Sequence, residues 1–109
     1  MAKYKNKKVI YDGIKFDSAK ECNYYVKFRL MEQAGIIKDL ELQKKFVLQN
    51  SFKLNGKLRR EISYYADFCY VTVKDNKLHV IDVKGFKTDI YKLKKKLFEY
   101  KYQIEIEEM

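Results

Sequence analysis

Apolar and polar positions alternate with a period of two from Lys8 to Phe16, on either side of Asp12-Gly13. That dipeptide suits a two-residue hairpin turn, so a small N-terminal β-hairpin flap is expected. Residues 1–8 ahead of it are polar and basic and read as a loose arm. At Ser18 the period becomes helical. Ser18-Ala19-Lys20-Glu21 has capping-box spacing, with Ser18 as N-cap. Ala19, Cys22, Val26 and Leu30 then recur on one face, broadened by Tyr25 and Met31. This helix is predicted to run to about Ala34 and to end at Gly35. Leu42 to Leu54 reads as a long strand broken near Asn50-Ser51. Asn55-Gly56 is the strongest hairpin signal in the chain, and Glu61 to Val73 is expected to return antiparallel.

A second hairpin is expected from Tyr64 to Gly85, where two runs rich in β-branched and aromatic residues flank Lys74-Asp75-Asn76-Lys77. With the turn centred on Asp75-Asn76, Val73 faces Leu78, Cys69 faces Asp82 and Asp67 faces Lys84. Side chains alternate, so Asp67, Asp82 and Lys84 share a face that otherwise carries Cys69, Val71, Leu78 and Val80. Directly opposed Cβ atoms lie about 4.5–5.5 Å apart and diagonal ones about 7–8 Å. Further on, Gly85 to Thr88 leads into a second helix with Thr88 as N-cap. Ile90, Leu93 and Leu97 are its expected apolar stripe, beside a line of Tyr91, Lys94 and Phe98. Gln103 to Glu107 alternates as a last strand, placed parallel to the Leu78–Lys84 strand by a right-handed crossover.

Two readings compete for the two carboxylates and one ammonium. One is a surface ion pair at a strand end, which contributes little to stability. In the other, the carboxylates hold a hard divalent cation and the lysine assists chemistry beside it. Charges that continue a buried face cost free energy unless they serve a function. His79, the only histidine, faces away from them by the same register, which argues against a histidine general base.

Composition narrows the partners. The formal net charge is +9, with Lys92, Lys94, Lys95, Lys96 and Lys101 crowded together. Such a field attracts polyanions, and nucleic acid is preferred over a merely soluble basic surface and over an anionic membrane, for which no strongly apolar helix face is present. No run approaches the ~18–20 apolar residues of a membrane span, and the basic N-terminus lacks an apolar signal core, so a cytoplasmic protein with no membrane partner is expected. Cys22 and Cys69 lack metal-ligand spacing and read as free thiols.

Ala66-Asp67 on one strand, followed by Asp82-Val83-Lys84 on the next, resembles the PD-(D/E)XK nuclease superfamily, which includes restriction endonucleases and Holliday-junction resolvases. Ala66 stands where the family name has proline. The first-helix Glu21, the hairpin and the following basic helix come in the family's order. The whole chain resembles small phage-associated members without assigned function. The resemblance implies a single α/β domain with residues 1–16 as arm and flap and 17–109 as core. That core would be helix, three antiparallel strands, helix and parallel strand in one mixed sheet. It implies a metal-dependent DNA endonuclease acting on branched or phage replication and recombination DNA, encoded by a phage or prophage in a bacterial host. Its cofactor would be Mg²⁺, with Mn²⁺ as substitute, and a homodimer would fit so short a chain. Asp67, Asp82, Lys84 and Glu21 would be catalytic. Asp67, Asp82, Glu21 and the Val83 carbonyl would hold the ion, although Glu21 is equally explained as the closing residue of its capping box. Tyr91, Lys94, Lys95 and Gln43 would meet nucleic acid, with Lys94 the runner-up catalytic lysine. A perfect register from Asn55-Gly56 puts Gln43 opposite Phe68, on the wrong face, and a bulge at Asn50-Ser51 would correct that. The alternative is a non-catalytic nucleic-acid-binding module on a nuclease fold. A structural assembly protein is a third reading.

Overall fold

The structure, a computed structural model, describes residues 7–109. Residues 1–6 of the expected basic arm therefore lie outside the described residues. Val9–Tyr11 (β1) and Ile14–Phe16 (β2) form the predicted flap around Asp12 and Gly13, both at positive φ as this tight turn requires. Ala19–Gln33 (α1) starts at Ser18, whose Oγ accepts from the Glu21 N–H at 3.1 Å. Then come Ile37–Gln49 (β3), Phe52–Leu54 (β4), Lys57–Arg59 (β5), Ile62–Thr72 (β6) and Lys77–Asp82 (β7). Asp89–Tyr102 (α2) is capped by Thr88, and Ile106–Glu108 (β8) ends the described elements.

The main sheet has the order β3-β6-β7-β8, antiparallel except for the parallel β7–β8 pair. This is a mixed α/β architecture with one helix on each face of the sheet. Cys22, Tyr25 and Phe28 of α1 pack with Phe16, Ile37, Phe68, Tyr70 and Ile81 on one face. Tyr91 and Phe98 of α2 pack with Phe46, Tyr64, Ala66, Cys69, Val80 and Ile106 on the other. A fully buried phenylalanine or isoleucine among them contributes about 1.5–3 kcal/mol by leaving water.

α1 buries most of its expected face, and α2 is rotated from its own. On α1 Cys22 and Tyr25 are buried with Val26 and Met31 packed against the same core, Glu21 and Phe28 join them, and Ala19 and Leu30 face solvent. On α2 the expected stripe is turned outward, with Ile90 65% and Leu93 56% exposed, and the Tyr91–Phe98 line is buried instead. The aromatic rings bury more area than the aliphatic side chains they displace, and that decides the rotation.

The β6–β7 register is two residues from expectation. Val71 faces Leu78 and Cys69 faces Val80, so by continuation Asp67 lies across from Asp82, not Lys84. The loop is four residues, Val73 to Asn76, closed by Asn76 N–H to the Thr72 carbonyl at 2.8 Å and by Lys77 N–H to Asp75 Oδ1 at 3.2 Å. An even slip keeps every side chain on its face, so the three charged residues stay together. β3 begins at Ile37 rather than Leu42, and its first part is kinked at Asp39 (φ 57). The one-residue shift against β6 that Gln43 needs occurs between Val47 and Gln49, just ahead of Asn50-Ser51.

One irregularity shapes everything nearby. Phe68 and Tyr70 pack on the α1 side, yet Tyr64 and Ala66 on the same strand pack on the α2 side. The two-residue alternation therefore breaks at Asp67. Across from it, Leu42 packs on the α1 side and Phe46 on the α2 side, and Gln43 between them adopts φ 52. Both strands change face at the same level.

Candidate functional site

That level is where the carboxylates gather. Beyond the Phe68–Ile81 pair β6 and β7 splay, and the Val83 N–H donates to Asp67 Oδ2 at 2.8 Å instead of to a strand partner. Gln43 Nε2 donates to Asp67 Oδ1 at 3.2 Å and to Glu21 Oε2 at 3.5 Å, tying α1 to the sheet. Glu21 is thus pulled towards the sheet, and only the Ser18 hydroxyl half of its capping box is formed. Asp82 is 1% exposed, and its Oδ2 accepts from the Tyr64 hydroxyl at 2.5 Å. Its Oδ1 is buried and has no hydrogen-bond partner. The nearest cation to that oxygen is Lys84 Nζ at 3.4 Å. The Lys84 ammonium also lies over the Tyr91 ring, 4.9 Å from its centroid. β8 fastens the far side, through Met109 N–H to the Asp82 carbonyl at 2.9 Å and the Tyr91 hydroxyl to Glu108 Oε2 at 2.7 Å.

The electrostatics follow from this crowding. Burial, then the charges of Asp67 and Asp17, push the Glu21 carboxyl up to about 7, with Asp82 adding a smaller push. Burial also raises Asp67, with Asp82 adding to it, against the Val83 N–H, the Gln43 amide and Lys84, which pull it down. Burial and the bond to Asp82 keep the Tyr64 hydroxyl protonated at any ordinary pH. The Tyr91 hydroxyl, helped by Lys87 and Lys95, holds Glu108 below the usual carboxylate range. Three acids therefore meet with one ammonium, and two of them resist ionising. Among the described residues, no three His, Cys, Asp or Glu side chains are drawn together tightly enough to cage an ion alone. Mg²⁺ rarely asks for such a cage, since it is held by one or two carboxylates and keeps several waters. Asp82 Oδ1, which has no hydrogen bond and only Lys84 opposite it, together with the neighbouring Asp67 is a donor set of that kind.

The family described as "Protein of unknown function (DUF1064)" matches residues 1–107. The chain belongs to that family. No curated protein and no solved structure matches it.

The expected roles distribute over this DUF1064 chain as follows. Asp67, Asp82, Lys84, Glu21 and Gln43 converge, and Val83 enters the site by its N–H. Gln43 bridges two carboxylates. Tyr91 is buried, its hydroxyl donates to Glu108, and its ring lies against the Lys84 ammonium. Lys95 is turned towards Glu99 at 3.7 Å and Glu108 at 3.9 Å. Lys94 is half-buried on the Tyr91–Phe98 line. Tyr64 and Glu108 were missed. Alternation alone puts Tyr64 on the wrong face, and only the break at Asp67 brings it to Asp82. Glu108 lies one residue past the expected last strand. No helix among the described residues is long and apolar enough to cross a membrane.

Proposed function

We propose that the chain is a metal-dependent DNA endonuclease of the PD-(D/E)XK type. The observation that supports this most is Asp82: a fully buried carboxylate with one oxygen hydrogen-bonded by Tyr64 and the other, without a hydrogen bond, ion-paired to Lys84 at 3.4 Å. Burying a charge this deeply carries a desolvation cost that one ion pair offsets only in part, which is reasonable where the carboxylate serves a function.

In this reading Asp82 through Oδ1 and Asp67 would hold Mg²⁺ or Mn²⁺, with the Val83 carbonyl and Glu21 as further ligands. The ion, when bound, supplies Lewis-acid polarisation of a phosphodiester and lowers the pKa of a water. Tyr64 keeps Asp82 in one orientation. Lys84, steadied by the Tyr91 ring, places its ammonium where negative charge grows on the phosphate under attack. Glu21, poised near neutrality, can take up or release a proton. Gln43 holds Glu21 and Asp67 at a fixed separation. The +9 field brings the polyanion to the site.

The test is single-turnover cleavage of plasmid, linear, single-stranded and four-way-junction DNA, with and without Mg²⁺ or Mn²⁺, beside calorimetric titration of the metal. Metal-dependent cutting is expected, fastest on the junction if branched DNA is the substrate. No metal binding and no cutting on any of these DNAs would leave a non-catalytic DNA-binding module as the better account.

A further inference from the structure

The β4–β5 ribbon stands apart from the rest of the molecule. Every residue from Asn50 to Ile62 is exposed, although the ribbon directly continues β3 and β6. Its extensive packing is between its own two strands. Phe52, Leu54 and Leu58 are 44%, 52% and 58% exposed, a costly display for side chains that could have been polar. From Asn50 to Arg60 there is no acid, and Lys53, Lys57, Arg59 and Arg60 all fall here. Among the described residues none of these four cations has a carboxylate within ion-pair reach. At the ribbon's base the pattern stops, where Lys45 and Glu61 pair at 2.5 Å.

Charge and apolar surface are mixed on both sides. Phe52 faces Arg59 and Leu54 faces Lys57 on one side, and Lys53 faces Leu58 on the other. A membrane-seated hairpin would segregate them, apolar residues to one side. A second copy of the chain laid on the ribbon in a two-fold contact would set cations against cations. A nucleic-acid duplex has the matching chemistry, with phosphates for the cations and base and sugar edges for the apolar groups. A two-stranded ribbon also has the width that the major groove admits.

We infer that the β4–β5 ribbon is a duplex-binding arm. It rests on the reading that the partner is DNA, and adds a contact far from the carboxylates. Counted along β3 and on into β4, Lys53 lies ten residues beyond Gln43, at most about 33 Å at the usual strand rise. One turn of B-DNA spans about 34–36 Å. A duplex running along β3 and β6 with one phosphate at Asp82 therefore meets the ribbon about one turn away, on the same side of the helix.

The experiment uses the full chain without divalent metal and a labelled duplex of about three helical turns. The combined variant Lys53→Ala, Lys57→Ala, Arg59→Ala, Arg60→Ala should keep its melting temperature, since these side chains are exposed. Its plot of log affinity against log salt should flatten by about 3–4 for four lost phosphate contacts. Phe52→Ser should weaken binding with the slope unchanged. A parent slope in the quadruple variant would overturn the inference, as would a parent that binds no duplex. So would a Phe52→Ser variant that turns a dimer into a monomer in sedimentation while binding DNA normally, or a ribbon that binds phosphatidylserine vesicles in preference to duplex. Ribbon-dependent binding by a parent that never cuts would remove the nuclease and leave the arm. Cutting that the quadruple variant retains at parent affinity would remove the arm and leave the nuclease.

Discussion

The two ends of the β6–β7 hairpin use similar side chains to opposite effect. At the turn end, His79 Nδ1 meets Glu107 Oε2 at 2.6 Å and its Nε2 lies 3.1 Å from Thr72 Oγ1. Thr72 also reaches Asp75, and the imidazole stacks on Tyr70. Both ring nitrogens of His79 have a partner, and the network laces β6, β7 and β8 together. At the splayed end, Asp67, Asp82 and Glu21 crowd together with one ammonium, and Asp82 Oδ1 has Lys84 at 3.4 Å but no hydrogen bond. A satisfied polar network rigidifies a fold, whereas a buried carboxylate oxygen without a hydrogen bond calls for an explanation. By that measure the only histidine belongs to the scaffold, and the acids are the residues to test for the proposed chemistry.

The sharpest way to break this comparison is at the splayed end. Asp82→Ala should abolish cutting and lose the calorimetric signal for Mg²⁺, while metal-free DNA binding survives or tightens because a repulsive carboxylate is gone. Unchanged metal titration would refute the ion assignment. Lys84→Ala should keep the metal and slow single-turnover cutting by about 10²–10³. Full activity there would move attention to Lys94.

Tyr64→Phe removes the partner of Asp82 Oδ2 and little else. Metal affinity should fall about 10–100-fold, as for other groups that orient a ligand from behind. If Tyr64 only fills space, phenylalanine will titrate with metal as the parent does.

Glu21 makes the same comparison by pH. Its folded pKa of about 7 lies above the ordinary 4.5, so the folded state holds the proton more tightly. Stability from this group is full below about pH 4.5, is lost as pH rises to about 7, and stays lost above. Glu21→Gln should therefore match the parent near pH 4 and exceed it by about 1–3 kcal/mol near pH 8, read from urea melts. Adding Mg²⁺ at pH 8 should narrow that gap. A gap of the same size at both pH values would remove the proton from the account.

The smallest effect on activity is expected at the turn end. His79→Gln should cut at near the parent rate and lose about 1 kcal/mol of stability with its hydrogen bonds. Lost cutting in a folded His79→Gln protein would mean that the two ends are not independent.

Much of this was legible in the sequence because it rests on local chemistry. Asp12-Gly13 and Asn55-Gly56 announce their turns, Ser18 and Thr88 announce their helices, and the parallel last strand follows from chain connectivity. The charged triad survived a wrong register because the error was two residues and not one. What stayed hidden was set by partners distant in sequence. Glutamine does not advertise a left-handed backbone, so the change of face at Gln43 and Asp67 has no local signal, and Tyr64 stayed hidden with it. The rotation of α2 depends on which rings the opposing sheet accepts, and the helix's own periodicity does not record that.

The two free cysteines acquire a use from where they sit. Cys22 follows Glu21 on α1 and Cys69 lies two residues beyond Asp67 on β6, and both are buried. Burial pushes the Cys69 thiol up to about 11, so it is a poor nucleophile in the closed molecule. Alkylation of either thiol must then wait for its own layer to open, and the rate of labelling measures how often it does. The chain thus carries one intrinsic reporter on each side of the carboxylates. Their labelling rates, with and without metal or DNA, would show whether closing the site quiets α1, β6 or both.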